Sequence, residues 1–490
     1  MSGGRAIGLL LLAATAAGCM VGPDYHPPQL DVPPAWGELS QSTKPGDASA
    51  AAAAPQADQL AQWWTVFQDP QLSALVSWAV SSNLDLEQAA DRIRQARALR
   101  TIAGGPLWPN VATQNSYARE HTSGNTLTSA NDLGKTFDLY QVGFDASWEL
   151  DVFGGNRRAV EAAEATLQAA EFDRASVLVT LLGEVASNYV TYRALQQRIA
   201  IATDNVKSQQ NTLALTQRLF AAGLATDLDV ARAEAQVATT DATIPLLTAQ
   251  AREVLHLLGV LLGEPPMTLA QELAASGPIP RGPALVDVGI PSEILQRRPD
   301  LRRSERQLAA ATAEIGVATR DLYPRFFVTG FGALESIDAG TLFTWPSRAA
   351  SIGPTVSWTV FDAGVIRATI ELRTAQQQEL LASYRNVVLL AFQEVEDALV
   401  LFAQDQKRRD DLATATAANQ RAADLALQLY VQGLTDFLSV LQAQLNLFTS
   451  EDALAQSQGT IAVDMVALYK ALGGGWDDAA LMKQPASSAG

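Results

Sequence analysis

The sequence holds a single cysteine, Cys19, so no disulfide can form within the chain. Its three histidines, His26, His121 and His256, are scattered with no metal-ligand spacing. No phosphate-cradling glycine loop or nucleophile elbow is visible, and the GFG at Gly330 to Gly332 sits in a strand-like stretch where small residues pack. These absences argue against an enzyme: no catalytic residue, metal site or cofactor is expected. Basic residues are also scarce, 35 Lys and Arg against 52 Asp and Glu, a net charge of −17 that excludes the clustered basic footprint of a nucleic-acid binder. No run of about 18 apolar residues marks a spanning helix. A chain like this can cross a bilayer only as strands.

The organising stretch is QVGFDASWEL, Gln141 to Leu150. Val142, Phe144, Ala146, Trp148 and Leu150 alternate strictly with Gln141, Gly143, Asp145, Ser147 and Glu149, the pattern of a strand with one apolar and one polar face. About ten residues is also what a tilted strand needs to cross a bilayer. SIGPTVSWTV, Ser351 to Val360, repeats the pattern, and each stretch leads into a long helical segment. Trp148 and Trp358 lie 210 residues apart, as do Gly223 and Gly433, and Gly263 and Gly473. Upstream the offset is 215, from Asp85 to Asp300 and from Pro109 to Pro324, so a five-residue insertion falls in the connection before the second strand of copy one. The chain is a tandem duplication.

The spacing predicts a first copy over 69–263, with a helix from about residue 70, strands near 110–121 and 138–151, a long helix over 155–222 and a helix over 225–262. The second copy runs over 292–473, with strands near 325–336 and 350–361 and helices over 364–432 and 435–472. The long segments are almost free of helix breakers. Between Gly155 and Gly223 there is no proline and one glycine, Gly183; between Gly364 and Gly433 there is neither. At about 1.5 Å per residue each could extend on the order of 100 Å. Helices of that length without internal caps indicate a coiled coil or helical barrel. Pro245 should kink the helix that contains it. After each long helix a glycine, Gly223 or Gly433, allows a left-handed cap, and nearby Thr and Asp can start the next helix.

The ends differ in character. Residues 1–18 read as an export signal, with Arg5, an apolar IGLLLLAAT and then small residues. Cys19 follows Ala16-Ala17-Gly18, the arrangement at which lipoprotein signals are cut and the cysteine acylated. Residues 19–68 form a proline- and alanine-rich linker, 264–291 an irregular connection between copies, and 474–490 a tail. Four bilayer-length strands cannot close a barrel, whose smallest form has about eight, so several chains must pool their strands. A shared barrel continued by long helices is a conduit. A lipid-anchored periplasmic coiled-coil scaffold, the alternative from another class, would need no alternating strands.

The lipobox followed by CMVGPDYHPP, the SEILQRRPDL stretch heading the second copy, the duplication and the terminal ALGGGW resemble the TolC-like outer-membrane factors of tripartite efflux systems, in particular the lipoprotein subfamily often called NodT-type. The resemblance covers nearly the whole mature chain. It implies mixed all-α and membrane β-barrel architecture: a homotrimer with a twelve-stranded β-barrel in the outer membrane, continued by a periplasmic α-helical barrel. It implies a lipid anchor at Cys19 and partnership with a periplasmic adaptor and an inner-membrane transporter, commonly of the proton-driven RND class. A channel for ABC-driven type I protein secretion is the alternative within the family. The adaptor is expected at the tips, Gly223-Leu224 and Gly433-Leu434. In the family a tyrosine before the second tip bonds an aspartate after the first, here Tyr430 and Asp229. The acidic ring carried by some members is replaced by Ser439 and Gln442, and an arginine by Thr435. The gate is therefore expected from Asp229, Tyr430, Leu438 and Gln442, with apolar packing led by Leu438.

Overall fold

The computed structural model describes residues 20–41, 50–51, 57–125 and 134–477. The export signal, Cys19 and most of the C-terminal tail lie outside the described residues. The first copy comprises α1 (Pro70–Ser82), α2 (Leu84–Gly104), β1 (Asn110–His121), β2 (Thr136–Leu150), α3 (Gly155–Ala221), α4 (Asp227–Asp241) and α5 (Thr243–Leu261). The second comprises α6 (Pro299–Thr319), β3 (Arg325–Ser336), β4 (Arg348–Ser357), α7 (Val365–Val431) and α8 (Phe437–Ala471). Two compact units divide the chain, one built around Arg92–Ala170 and Arg303–Tyr384, the other around Glu171–Arg302 and Arg385 onward. Each unit draws on both copies, so the repeats interleave instead of folding as separate domains.

The first unit carries a four-stranded antiparallel sheet in the order β1-β2-β3-β4. Registered pairs stand side by side on one face, so Val111, Ala146, Gly330 and Ile352 form one row and Thr113, Phe144, Gly332 and Ala350 the next. Val111, Val142, Phe144, Trp148, Ile352 and Val356 are all exposed, although this is the apolar face. β1 and β4 each pair on one side only. β4 also carries Pro354, which lacks an amide hydrogen and is tolerated on such an edge. Both copies end their hairpin with the same crosslink: Trp148 Nε1 donates to Leu107 O at 3.0 Å and Trp358 Nε1 to Leu322 O at 3.1 Å.

β2 ends with its alternation at Leu150, whereas β4 stops at Ser357, short of Val360, and in both copies an acidic residue then claims the chain for the next helix. Asp151 accepts from the amides of Asn156 and Arg157, and Asp362 from those of Gly364 and Ile366, capping α3 and α7. Those helices are 67 residues each. The expected single helix from residue 70 is broken at Asn83, whose carboxamide oxygen accepts from Asp85 N and Leu86 N and starts α2. The expected 225–262 helix is interrupted at Ala242, just before Pro245, giving α4 and α5. Its repeat mate α8 is unbroken over 35 residues. Among the described residues, one helical stretch is long and apolar enough to cross a membrane by length and composition, α4–α5 with mean hydropathy 1.2, and Leu246, Leu257 and Val260 are exposed on it.

In the second unit the copies close by equivalent contacts of different chemistry. Asn83 Nδ2 donates to Leu261 O at 2.9 Å; its mate Arg298 donates through Nη1 to Ala471 O at 3.1 Å. Arg298 also pairs with Asp300 at 2.7 Å and Glu394 at 2.6 Å, and Trp476 Nε1 donates to Arg297 O at 2.9 Å. The RRPD and ALGGGW motifs therefore meet at one junction. The linker and the inter-repeat connection are more ordered than their composition suggests: Trp36 and Trp63 are buried, Trp36 Nε1 donates to Gly289 O, and Ala50–Ala51 pairs with Val286–Asp287.

One core group is out of place for a carboxylate. Asp464 on α8 is 9% exposed and its Oδ2 is buried without a hydrogen-bond partner. Burial, reinforced by the charge of nearby Asp405 on α7, pushes it up from 3.8 to about 7. Between those values the folded chain keeps a proton that the unfolded chain has released, so this group makes stability fall as pH rises from 3.8 to about 7, with no further change above. Thermal unfolding followed by circular dichroism across that range should show a shallower loss in Asp464→Asn than in wild type. An identical slope would remove Asp464 from the account.

Candidate functional site

The two helix-to-helix turns of the second unit are built alike. Gly223 and Gly433 adopt positive φ, 75° and 72°. Gly223 N donates to Phe220 O and Leu224 N to Leu219 O; Gly433 N donates to Tyr430 O and Leu434 N to Leu429 O. These are helix ends closed through a left-handed residue, which glycine adopts without a Cβ penalty. The closure turns the following leucine outward: Leu224 is 76% and Leu434 69% exposed.

The caps that follow exchange their chemistry. At the first tip Thr226 is the N-cap and Asp229 the third residue of α4: Asp229 N donates to Thr226 Oγ1 at 3.2 Å, while Thr226 N and Oγ1 both donate to Asp229 Oδ2, at 3.1 and 2.7 Å. At the second, Asp436 is the N-cap and accepts from Ser439 N at 2.9 Å and Ser439 Oγ at 2.7 Å. Hydroxyl and carboxylate have swapped places between the copies. Each arrangement satisfies amides that the helix leaves unpaired and puts negative charge at a helix N-terminus.

That commitment decides the fate of the expected Tyr430–Asp229 bond, which is not made. Asp229 serves its own cap, and the Tyr430 hydroxyl is buried without a hydrogen-bond partner. Burial pushes the phenol up; Thr216 is near enough to oppose that shift but falls short of hydrogen-bond geometry, and the Asp229 charge reinforces it. Tyr430 packs instead into an apolar cluster with Ala233, Phe437 and Val440, flanked by Leu213, Leu219 and Leu441. Its ring lies 5.5 Å from that of Phe437.

Helix phase sets Leu438 apart from this cluster. Phe437 and Val440 turn into the cluster, whereas Leu438, 49% exposed, lies on the other side of α8 with Gln442 and Leu445. Gln442 donates to Asn446 Oδ1 at 2.9 Å. The cluster sits at the end of a polar ladder between α3 and α8. Arg198 clasps Asp452 at 2.7 and 3.0 Å, Asn205 donates to Glu451 at 2.7 Å, and Gln444 donates to Thr212 at 2.9 Å. Arg198, Asn205 and Thr212 are seven residues apart, a heptad seam whose polar members fix register. No group of three or more candidate metal ligands occurs among the described residues.

A mostly helical chain with an unclosed bilayer-length sheet and paired glycine tips can now be set against known proteins. The profile described as outer membrane efflux protein matches residues 75–264 and 290–474. The chain belongs to the outer membrane efflux protein family. It is 36% identical over 435 residues to the pyoverdine export outer membrane protein OpmQ of Pseudomonas aeruginosa, covering 87% of this chain and 90% of that one. It is 33% identical over 473 residues to nodulation protein T of Rhizobium leguminosarum bv. trifolii, covering 95% and 96%. The outer-membrane channel OprN superposes with TM-score 0.87 at 36% identity, over 94% of this chain and all of that one. The protein is thus a TolC-like outer-membrane efflux channel reaching into the periplasm, and family members are channels, not enzymes. Such channels are trimeric and work with adaptor and inner-membrane pump partners.

Sequence spacing brought the tip residues and Tyr430 into one region, but missed Phe437, Val440 and the ladder; the seven-residue spacing of Arg198, Asn205 and Thr212 was the available signal. Since the Tyr430 hydroxyl forms no bond, Tyr430→Phe should leave single-channel conductance unchanged and alter stability by less than about 1 kcal/mol. Phe437→Ala should open a cavity, cost about 3–5 kcal/mol and raise conductance in lipid bilayers. A wider channel from Tyr430→Phe alone would mean that the hydroxyl, not the cluster, holds the constriction.

Proposed function

We propose that this chain is the outer-membrane conduit of a tripartite pump, through which small molecules leave from an inner-membrane transporter of the RND class by way of a periplasmic adaptor. The observation that carries the reading is the matched pair of tips, each a rigid glycine-closed turn displaying one leucine to solvent. A turn that served only to reverse the chain would gain nothing from an exposed leucine at the same place twice. A complementary apolar groove on an adaptor would bury Leu224 and Leu434, at roughly 1.5–3 kcal/mol for each fully covered side chain. The name of the relative that exports pyoverdine supports a small-molecule cargo.

Within this reading the exposed stripe of Leu438 and Gln442 on α8 faces the conduit, backed by the cluster around Tyr430 and by the Asp229 cap. The lumen then presents leucine and carboxamide at that level, not an acidic ring, so the constriction selects weakly for cations. Cys19 is the acylated first residue of the mature protein, with several acyl chains giving firm attachment to outer-membrane lipid. Three chains supply twelve strands, enough to close a barrel that four leave open.

Two measurements test the reading. Leu224→Glu combined with Leu434→Glu should leave heat-modifiable trimers intact and abolish export by the assembled pump; undiminished export would remove the tips as docking points. Mass spectrometry of the mature N-terminus should show an acylated Cys19, and a start elsewhere would end the lipoprotein assignment.

A further inference from the structure

The GPDY motif close behind Cys19 is held in a socket that the channel reading does not use. Val21 N donates to Phe153 O at 3.1 Å, just beyond the end of β2. Arg158, 1% exposed, donates to Val21 O at 3.2 Å, Gly22 O at 3.4 Å, Asp24 Oδ1 at 2.6 Å and Glu161 Oε2 at 2.7 Å. A buried guanidinium whose donors are spent on one extended segment and a neighbouring carboxylate is a specific clasp, because each lost partner would strand a buried charge. Tyr25 continues the grip, donating to Glu305 at 3.1 Å with Arg306 over its ring.

Three glycines give the segment room. Gly22 has φ +87°, and a Cβ there would stand 2.4 Å from Gly316 Cα. A Cβ on Gly316 would meet Arg158 at 2.8 Å and Val21 O at 2.9 Å, and one on Gly154 would meet Met20 at 2.6 Å. Such approaches tolerate no side chain at any of the three positions.

The duplication supplies an internal control. Under the repeat offsets the mate of Arg158 is Ala368 and the mate of Gly316 is Thr101. At the equivalent place related by the repeat the left-handed glycine is kept, Gly364 for Gly154, yet Ala368 and Thr101 supply neither guanidinium nor gap. A feature needed for the barrel or the helices would be expected twice. One needed for the single N-terminus is needed once.

We infer that Arg158, with Gly22 and Gly316, is a positioning device for the lipid anchor, clasping the segment behind Cys19 so that the acyl chains enter the bilayer beside β2. The inference rests on the acylation of Cys19 proposed above. Cys19 precedes Met20 by one peptide bond, about 3.8 Å between Cα atoms. Met20 packs on Gly154, four residues past the end of β2, near the stacked rings of Phe153 and Tyr323, 4.6 Å apart. Trp148 and Trp358, exposed at the same strand ends, mark the level at which aromatic side chains meet lipid headgroups. Held there, the anchor enters the leaflet at the barrel wall; released, it hangs on a loose tether.

The test uses the full-length protein expressed in cells, with Arg158→Ala and, on the segment alone, Gly22→Val. Proteinase K should cut residues 20–36 of either purified variant about tenfold faster than wild type, since local opening governs cleavage. The acylated mass at Cys19 should be unchanged, and the fraction of chain inserted as heat-modifiable trimer should fall to that of Cys19→Ser. Should Arg158→Ala fail to fold, Gly22→Val decides, because the substituted residue lies outside every strand and helix and its clash with Gly316 is relieved by release of the segment. A segment as resistant as wild type, or one released with no loss of insertion, overturns the inference. An unmodified Cys19 in wild type would instead refute the acylation reading, and cleavage would still report whether the clasp exists.

Discussion

Everything in this chain answers to the backbone hydrogen bonds of a four-stranded sheet that has two open edges. In water an open edge is satisfied by solvent, but in hydrocarbon each unpaired group costs several kcal/mol. The exposed face of Phe144, Trp148, Ile352 and Val356 shows that this sheet is not meant for water. β1 and β4 therefore need strands from other chains, and membrane insertion and assembly become one problem. The strand pattern, the acidic caps that end β2 and β4, and the Trp crosslinks at their feet all serve an element that cannot be completed alone.

Duplication provides two comparisons of equal geometry and unequal chemistry. Where a side chain closes the start of one helix on the end of another, Asn83 does the work in the first copy and Arg298 in the second. Where a helix begins after a tip, threonine with aspartate becomes aspartate with serine. The constraint is on which backbone groups must be satisfied, and several side chains meet it. The interruption at Ala242, with no counterpart in α8, shows that the copies are free to differ where only helix continuity is concerned.

Much of this organisation could be read from the residues. Strict alternation placed β2 and β4, and position in the repeat placed β1, whose own alternation is weak. What escaped were choices between partners of similar reach. Asp229 could bond Tyr430 or cap α4, and the capping partner, three residues away, loses less entropy on pairing than one on a distant helix. Phe437 sits one step, about 100° of helix phase, from Leu438, and spacing alone did not reveal it as a core residue. The N-terminal stretch was read from its prolines as loose linker, yet Trp36 and Trp63 bury large rings that composition gave little reason to place.

The socket around Gly22 takes its guanidinium from the first copy and its gap from the second. Neither half of the chain contains both, so a protein of one repeat could not form it by folding alone. Two separate halves could do so only by meeting in the right pairing, and six half-chains arranged around a ring would leave every socket at a junction between molecules. Fusion into one chain makes the junction internal and ties each GPDY segment to the four strands of its own chain.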